Sequence, residues 1–197
     1  MLKCDLEFKF KGERDYVHGT DIFNETLGWL HKHRHEVEDI DFSFHRLAFK
    51  QLKIVLGAAP EEIEPVAVCA FTSGDKRERA RLLETDQPVV GHYPYPEDEI
   101  VDSMEIDLAT RKGVLHAETS FSDIEVWVAM TKALHHKVFP QLNGKWLFVR
   151  ARFPAYAHHS IASERSLVIS SSFNDKLTRS EAFLDSVKVG EIYFTIV

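Results

Sequence analysis

The sequence predicts an α+β fold in which one arrangement of elements occurs twice. Two polar loops run into helical stretches, the first at residues 16–30 and the second at residues 119–130. An Asp-Ile pair opens both stretches, at Asp21 and at Asp123, and the apolar residues that follow recur at helical spacing. Segments rich in Phe, Val and Ile, typical of strands, come after each helix. We therefore predict an internal repeat of a strand, a long helix and several antiparallel strands.

Further landmarks support this repeat because they keep an offset of 100 to 104 residues. The pairs are Asp21 with Asp123, Arg46 with Arg150, Asp75 with Asp175 and Tyr93 with Tyr193. Chance similarity between two α+β segments is the alternative. The repeat predicts two units, residues 1–95 and 100–197, with residues 94–99 as the linker because two prolines and an acidic run suit neither helix nor sheet.

In the first half, apolar and charged residues alternate over residues 6–10, as in a half-buried strand. The first helix should extend to His33, where the cations of residues 31–35 suit the negative end of the helix dipole. We interpret these histidines as a solvated helix end and not as a metal site. Turns containing Gly, Pro or Asp separate the next strands. These strands are expected at residues 40–49, 52–56, 66–71, 76–85 and 89–93.

In the second half, Ser122 and Glu125 have the spacing of a capping box. The second helix is therefore expected at residues 122–139, ending before Pro140. Asn-Gly and Asn-Asp pairs mark the later turns. The strands of this half are expected at residues 104–108, 114–119, 145–153, 167–173, 176–184 and 187–196.

Composition excludes several classes of protein. The net charge of −7 and pI near 5.9 do not suit nucleic acid, since phosphate binding needs clustered Lys and Arg. The N-terminal residues lack the apolar core of a signal peptide and no window is long enough to span a bilayer, so we expect a cytoplasmic protein that does not bind membranes. Cys4 and Cys69 are too few for a disulfide framework, and no metal or other cofactor is predicted.

A strand, a long helix and antiparallel strands, twice in one chain, resemble the hotdog fold in its double, single-chain form. The resemblance implies two curved antiparallel sheets that each wrap a long central helix, related by a pseudo-twofold axis. Hotdog proteins include acyl-thioester hydrolases and hydroxyacyl-thioester dehydratases. Their sites lie at the interface between two hotdog units, near the start of the central helix, where unpaired backbone N–H groups can hold the thioester carbonyl.

The run Tyr-Val-His-Gly-Thr-Asp at residues 16–21 looks like the loop that carries an Asp in the 4-hydroxybenzoyl-CoA thioesterase group. This resemblance implies that Asp21 is the base or nucleophile and that His18 or Asn24 is a positioning group. Gly19 would let the backbone approach the ligand. The candidate catalytic residues are Asp21 and His18, and the candidate substrate-binding residues are Tyr16, Gly19, Asn24 and Glu25.

Structural roles compete with these assignments. Asp is a favoured N-cap residue, so Asp21 is also a candidate helix cap. Glu25 lies one turn into the helix, where acids suit the dipole. The second half keeps Asp123 but lacks the His-Gly pair, which indicates that its copy of the site serves only as a scaffold.

The dehydratase pattern His-Phe-Pro-Gly, followed by an acid inside the helix, is absent because Gly19 directly follows His18 and position 32 is Lys32. We therefore predict an acyl-thioester hydrolase that acts on acyl-CoA or acyl-carrier-protein substrates. The alternatives are a hydroxyacyl-thioester dehydratase and a non-catalytic hotdog protein that binds an acyl ligand. The Phe-rich strand at residues 42–49 favours a homodimer.

Overall fold

The computed structural model describes residues 2–57, 63–116 and 118–197. The chain forms two compact units, Met1–Tyr95 and Pro96–Val197. The division between them falls inside the segment expected to be a linker. That segment is not wholly irregular, because its acidic residues begin a short helix at Asp98–Val101. Acidic side chains in a first helical turn suit the positive end of the helix dipole.

In its described residues, the first unit contains one helix and seven strands. In chain order they are β1 (Leu2–Leu6), β2 (Phe10–Lys11), α1 (Gly19–His33), β3 (Glu38–Phe44), β4 (Lys50–Leu56), β5 (Ala67–Ser73), β6 (Lys76–Pro88) and β7 (His92–Tyr93). Five strands pair antiparallel in the order β1, β4, β6, β5, β3. The short strands β2 and β7 pair in parallel.

The first strand lies earlier than the alternation at residues 6–10 predicts. The Phe8 N–H donates to Gln51 Oε1 at 2.7 Å, and Gln51 Nε2 donates to the Phe8 carbonyl at 3.0 Å. One amide side chain therefore satisfies the backbone groups that a neighbouring strand would otherwise bond. The strand expected at residues 89–93 is also shorter, because only β7 forms there.

Helix α1 is amphipathic, as its apolar spacing predicts, and one face of it is buried. The rings of Phe23 on α1 and Phe42 on β3 have centroids 5.2 Å apart, and both side chains are fully buried. Each such aromatic or aliphatic side chain contributes about 1.5–3 kcal/mol through removal from water. The buried residues of α1 are Thr20, Ile22, Phe23, Thr26, Leu27, Trp29 and Leu30.

The second unit contains two helices and six strands in its described residues. They are α2 (Asp98–Val101), β8 (Glu105–Asp107), β9 (Lys112–Leu115), α3 (Asp123–Val138), β10 (Trp146–Ala155), β11 (Arg165–Phe173), β12 (Leu177–Leu184) and β13 (Val187–Ile196). The strands pair antiparallel in the order β10, β13, β12, β11, β9, β8. The strand expected at residues 114–119 ends at Leu115, and residue 117 lies outside the described residues.

Local signals in the second unit are confirmed. The capping box of Ser122 and Glu125 is present, and α3 begins one residue after Ser122. Asn174 and Asp175 have φ values of 49° and 53°, the left-handed pair that a two-residue hairpin turn requires. Helix α3 packs against β9, β10 and β11.

Both units contain two strands, a long helix and four further strands in that order, but α2 precedes this series in the second unit and β7 follows it in the first. The strand pairing also differs. The second strand after the helix is β4 in the first unit and β11 in the second. β4 pairs with β6, whereas β11 pairs with its sequence neighbour β12.

The paired landmarks of the predicted repeat also lie in different kinds of element in the two units. Arg46 lies at a bend outside the strands and pairs with Glu84 of its own unit at 2.7 Å, whereas Arg150 lies within β10. Tyr93 lies in the two-residue β7 and Tyr193 in the ten-residue β13.

Candidate functional site

The start of α1 offers backbone donors to an external acceptor. His18 is the N-cap residue, with an extended backbone at φ −70° and ψ 139°. The first hydrogen bonds run from the Asp21 and Ile22 N–H groups to the His18 carbonyl, at 3.0 and 3.1 Å. Gly19 and Thr20 come before these two residues, and the helix has no carbonyl one turn earlier that could accept from their N–H groups. Gly19 is partly exposed whereas Thr20 is buried, so Gly19 is the more accessible of the two residues.

Asp21 does not cap the helix, so the capping interpretation was wrong. It is the third residue of α1, and its carboxylate points to side chains from other elements. Oδ1 accepts a hydrogen bond from Lys11 Nζ at 2.9 Å, and Oδ2 accepts one from Tyr93 Oη at 2.6 Å. Both oxygens are therefore held, and the orientation of the carboxylate is fixed.

Lys11 is the buried partner of this carboxylate. Its side chain is fully buried, and its Nζ lies 3.1 Å from Thr20 Oγ1 in addition to its contact with Asp21. The same nitrogen lies 4.3 Å from the centroid of the Tyr95 ring and 5.8 Å from that of Tyr93. A buried ammonium needs an ion pair and hydrogen bonds, and aromatic faces add cation–π attraction. These contacts therefore hold the Lys11 side chain in one position, and Lys11 in turn orients the Asp21 carboxylate.

Thr20 connects His18 with Asp21. Its Oγ1 lies 2.7 Å from His18 Nδ1 and donates to Asp21 Oδ1 at 3.4 Å. A hydroxyl has one proton and two lone pairs. All the contacts of Oγ1 are satisfied when His18 Nδ1–H and Lys11 donate to it and its own proton goes to Asp21. In that tautomer the lone pair of the imidazole is on Nε2.

The other predicted site residues lie around this cluster. Tyr16 is buried just before it, and Asn24 is partly buried one turn along the helix. Glu25 is exposed, and its side chain makes no hydrogen bond or ion pair with another described residue. Of the residues proposed from sequence, the structure thus joins His18 and Asp21 through one hydroxyl and leaves Glu25 outside their hydrogen-bond network.

Sequence reasoning missed four members of the cluster: Lys11, Thr20, Tyr93 and Tyr95. The one sequence signal at Lys11 is a Lys-Gly pair that occurs again at residue 112, and Tyr95 falls in the predicted linker. The available signal was the Tyr-Pro-Tyr run at residues 93–95, since large aromatic side chains in a linker need a surface to pack against.

The start of α3 is closed by its own unit. The Ile124 N–H donates to Tyr156 Oη at 3.1 Å, and the Asp123 N–H donates to the His158 carbonyl at 3.3 Å. Burial raises the pKa of the Tyr156 phenol, which keeps it a neutral hydroxyl. The Asp123 carboxylate is 1% exposed and accepts from Arg165 Nε at 2.8 Å. Acceptors of the protein itself therefore satisfy the first two N–H groups of α3.

Two further side-chain features bear on cofactors and redox chemistry. Within residues 2–57, 63–116 and 118–197, no group of three or more His, Cys, Asp or Glu side chains is placed to hold a metal ion. Cys69 is fully buried, as its apolar surroundings in the sequence predict, and burial raises the pKa of its thiol. A buried thiol of this kind behaves as a small apolar side chain.

Comparison with known proteins gives structural matches alone. No protein-family model matches the chain, and no curated protein matches it. The tesB protein of Mycobacterium avium subsp. paratuberculosis is 10% identical with a TM-score of 0.53, and the match covers 99% of this chain and 93% of that protein. The pyran synthase domain from module nine of the sorangicin pathway is 10% identical with a TM-score of 0.53, covering 99% and 92%.

A third match is the dehydratase domain of PpsC from Mycobacterium tuberculosis, whose structure is a complex with C12:1-CoA. It is 9% identical with a TM-score of 0.51, covering 99% of this chain and 92% of that one. These matches show that the chain has the hotdog fold, as the resemblance implies. The double form, with a sheet wrapped around each of two central helices, stays a prediction. None of the helices in the described part of the chain combines the length and hydropathy that a bilayer crossing requires.

Proposed function

We propose that the protein hydrolyses acyl thioesters of coenzyme A or of an acyl carrier protein at the start of α1. The observation that carries the proposal is the chain of contacts from His18 through Thr20 to Asp21, beside the Gly19 N–H. It combines a base that can accept a proton, a carboxylate that orients the base, and a donor for a carbonyl oxygen. These are the groups that acyl transfer to water needs.

In the proposed reaction, His18 Nε2 takes a proton from water while the water oxygen adds to the thioester carbonyl carbon. The carbonyl oxygen gains the negative charge and accepts a hydrogen bond from the Gly19 N–H, at the positive end of the helix dipole. The C–S bond then breaks, and the thiolate takes the proton from His18. The products are a carboxylic acid and a free thiol.

Asp21 acts as a positioning residue in this scheme. Lys11 and Tyr93 hold both of its oxygens, so a nucleophilic role would require breaking a buried ion pair. Through Thr20 the carboxylate keeps the His18 proton on Nδ1 and stabilises the imidazolium that forms. Tyr16, Asn24 and Glu25 flank the site and are proposed to contact the substrate.

We further propose that each unit is one hotdog, with α1 and α3 as the central helices. The order of strand, helix and antiparallel strands in both units supports this division, as does the Asp near the start of each helix. The different pairing of β4 and β11 would then be a divergence between the two copies. A homodimer stays a prediction.

Thiol release from a panel of acyl-CoAs tests the hydrolase. His18→Gln should lower the rate at least 100-fold, since a general base contributes about 10²–10⁴-fold. His31→Gln is the matched control, because it removes an exposed histidine from the other end of α1. Melting temperatures of both variants check that the fold is intact. Unchanged thiol release in a folded His18→Gln protein would remove the proposed base.

The same panel separates the alternatives. A dehydratase would change the enoyl absorbance of a hydroxyacyl thioester without releasing thiol. Dehydration remains the second candidate function because the PpsC domain, which is similar in fold, is a dehydratase domain. A binding protein would show a raised melting temperature with acyl-CoA and no turnover.

A further inference from the structure

Helix α3 carries polar side chains through an otherwise apolar interior. Trp127, Thr131 and His135 follow one another at intervals of four residues, so they share one face of the helix. All three are at most 1% exposed. Thr178 and Ser180 lie two residues apart on β12, on one face of the strand, and are equally buried. We call these five residues the polar stripe.

One hydrogen bond joins the two sides of the polar stripe. His135 Nε2 lies 2.7 Å from Thr178 Oγ1, which brings the last turns of α3 within side-chain reach of β12. Ring stacking between side chains of α3 and β10 fixes how the rest of the helix lies on the sheet. Trp127 stacks on Phe153 with centroids 5.7 Å apart, and His135 stacks on Trp146 at 4.0 Å. The helix therefore lies along the strands, and its polar face is held against the sheet.

Three polar atoms of the polar stripe have no hydrogen-bond partner among the described residues. They are Trp127 Nε1, His135 Nδ1 and Ser180 Oγ. Buried polar atoms in folded proteins are almost always bonded to protein or to ordered water. Three unsatisfied atoms on one stripe therefore point to a common class of partner that fits between helix and sheet.

The chemistry of the polar stripe selects a neutral partner. It contains no carboxylate and no cation, and burial keeps the His135 imidazole neutral by lowering its pKa. The rings of Trp146, Phe139 and Phe194 surround that imidazole, with centroids 4.0, 5.9 and 5.4 Å away. An ion would find no counter-charge here. A small molecule that both donates and accepts hydrogen bonds suits an indole N–H, a hydroxyl and an imidazole nitrogen.

We propose that ordered water molecules are bound along the polar stripe, where they bond to His135 Nδ1, Ser180 Oγ and Trp127 Nε1. At least two positions are needed because His135 lies eight positions after Trp127, a helical rise of about 12 Å. Buried water typically makes about three hydrogen bonds to otherwise unsatisfied polar atoms. These waters form part of the core of the second unit.

Nuclear magnetic resonance of the full chain tests this directly. The Trp127 indole N–H should show a cross-peak to long-lived water, with the signal assigned by its loss in Trp127→Phe. Ser180→Ala should lower the melting temperature by about 2–6 °C, because a bound water loses a partner. Ser171→Ala, at an exposed serine on β11, should leave it unchanged.

If the polar stripe binds no water, the melting temperature of Ser180→Ala should change in the opposite direction. Ser180→Ala would then delete an unsatisfied hydroxyl, and the melting temperature would rise. Absence of the water cross-peak at the Trp127 indole overturns the proposal whatever the melting temperature does. Its presence supports the proposal even if Ser180→Ala proves too unstable to melt cooperatively.

Discussion

His135 shows how burial sets the charge of a single side chain in this protein. Its imidazole is fully buried among aromatic rings, and desolvation, with a smaller contribution from the neighbouring His136, lowers its pKa to about 3. An ordinary histidine titrates near 6.5. Between these two pH values the unfolded chain takes up a proton that the folded protein does not. Stability must therefore fall as the pH drops below about 6.5.

We expect this one residue to cost about 2 kcal/mol of the free energy of unfolding between pH 7.5 and pH 5.0. Urea denaturation at the two pH values measures it. His135→Gln should reduce the difference by that amount, whereas His31→Gln, on the exposed end of α1, should not. Equal pH dependence in His135→Gln and the native protein would show that the imidazole titrates normally when folded.

At the scale of elements, the start of α1 provides a way to remove one backbone donor while keeping the helix. Gly19 is the first helical residue, where proline fits because its fixed φ suits the helix. The residue before a proline must be extended, and His18 already is, with ψ at 139°. Gly19→Pro therefore deletes the N–H proposed to hold the thioester oxygen and leaves the backbone path unchanged.

Gly19→Pro should lower the rate of thiol release about 10²–10³-fold, the usual loss for one oxyanion donor. Gly19→Ala keeps the N–H and is the matched control. Circular dichroism should show the same helix content in both. If the two variants hydrolyse acyl-CoA equally well, the Gly19 N–H does not contact the reacting oxygen.

Elements whose signals are local could be predicted from the sequence. The capping box at Ser122 and the left-handed turn at Asn174 depend on residues within one turn of the chain, so the sequence shows them directly. The first strand was misplaced because its end depends on Gln51, 43 residues beyond Phe8.

The candidate site follows the same rule. His18 and Asp21 are close in sequence and were found. Tyr93 lies 72 residues beyond Asp21, and no local pattern shows that its hydroxyl reaches that carboxylate. The Lys11 side chain is likewise assigned to the site only by the tertiary fold, since a lysine beside a turn normally lies at the surface.

At the scale of the whole molecule, the two helix starts are chemically unequal. The start of α1 has a partly exposed glycine and an imidazole linked to a carboxylate. In the second unit the corresponding N–H groups already bond to Tyr156 Oη and to the His158 carbonyl, and Arg165 neutralises the buried Asp123. We therefore expect the chain to bind substrate at the start of α1 and not at the start of α3.

Isothermal titration with a non-hydrolysable thioether analogue of an acyl-CoA should give one binding site per chain. Gly19→Pro should weaken that site. Tyr156→Phe should leave the affinity and the stoichiometry of one unchanged, because its hydroxyl bonds to the start of α3 and not to that of α1. Two equivalent sites per chain in the native protein would mean that Tyr156 yields its place to a ligand. The second unit would then be an active copy and no longer a scaffold.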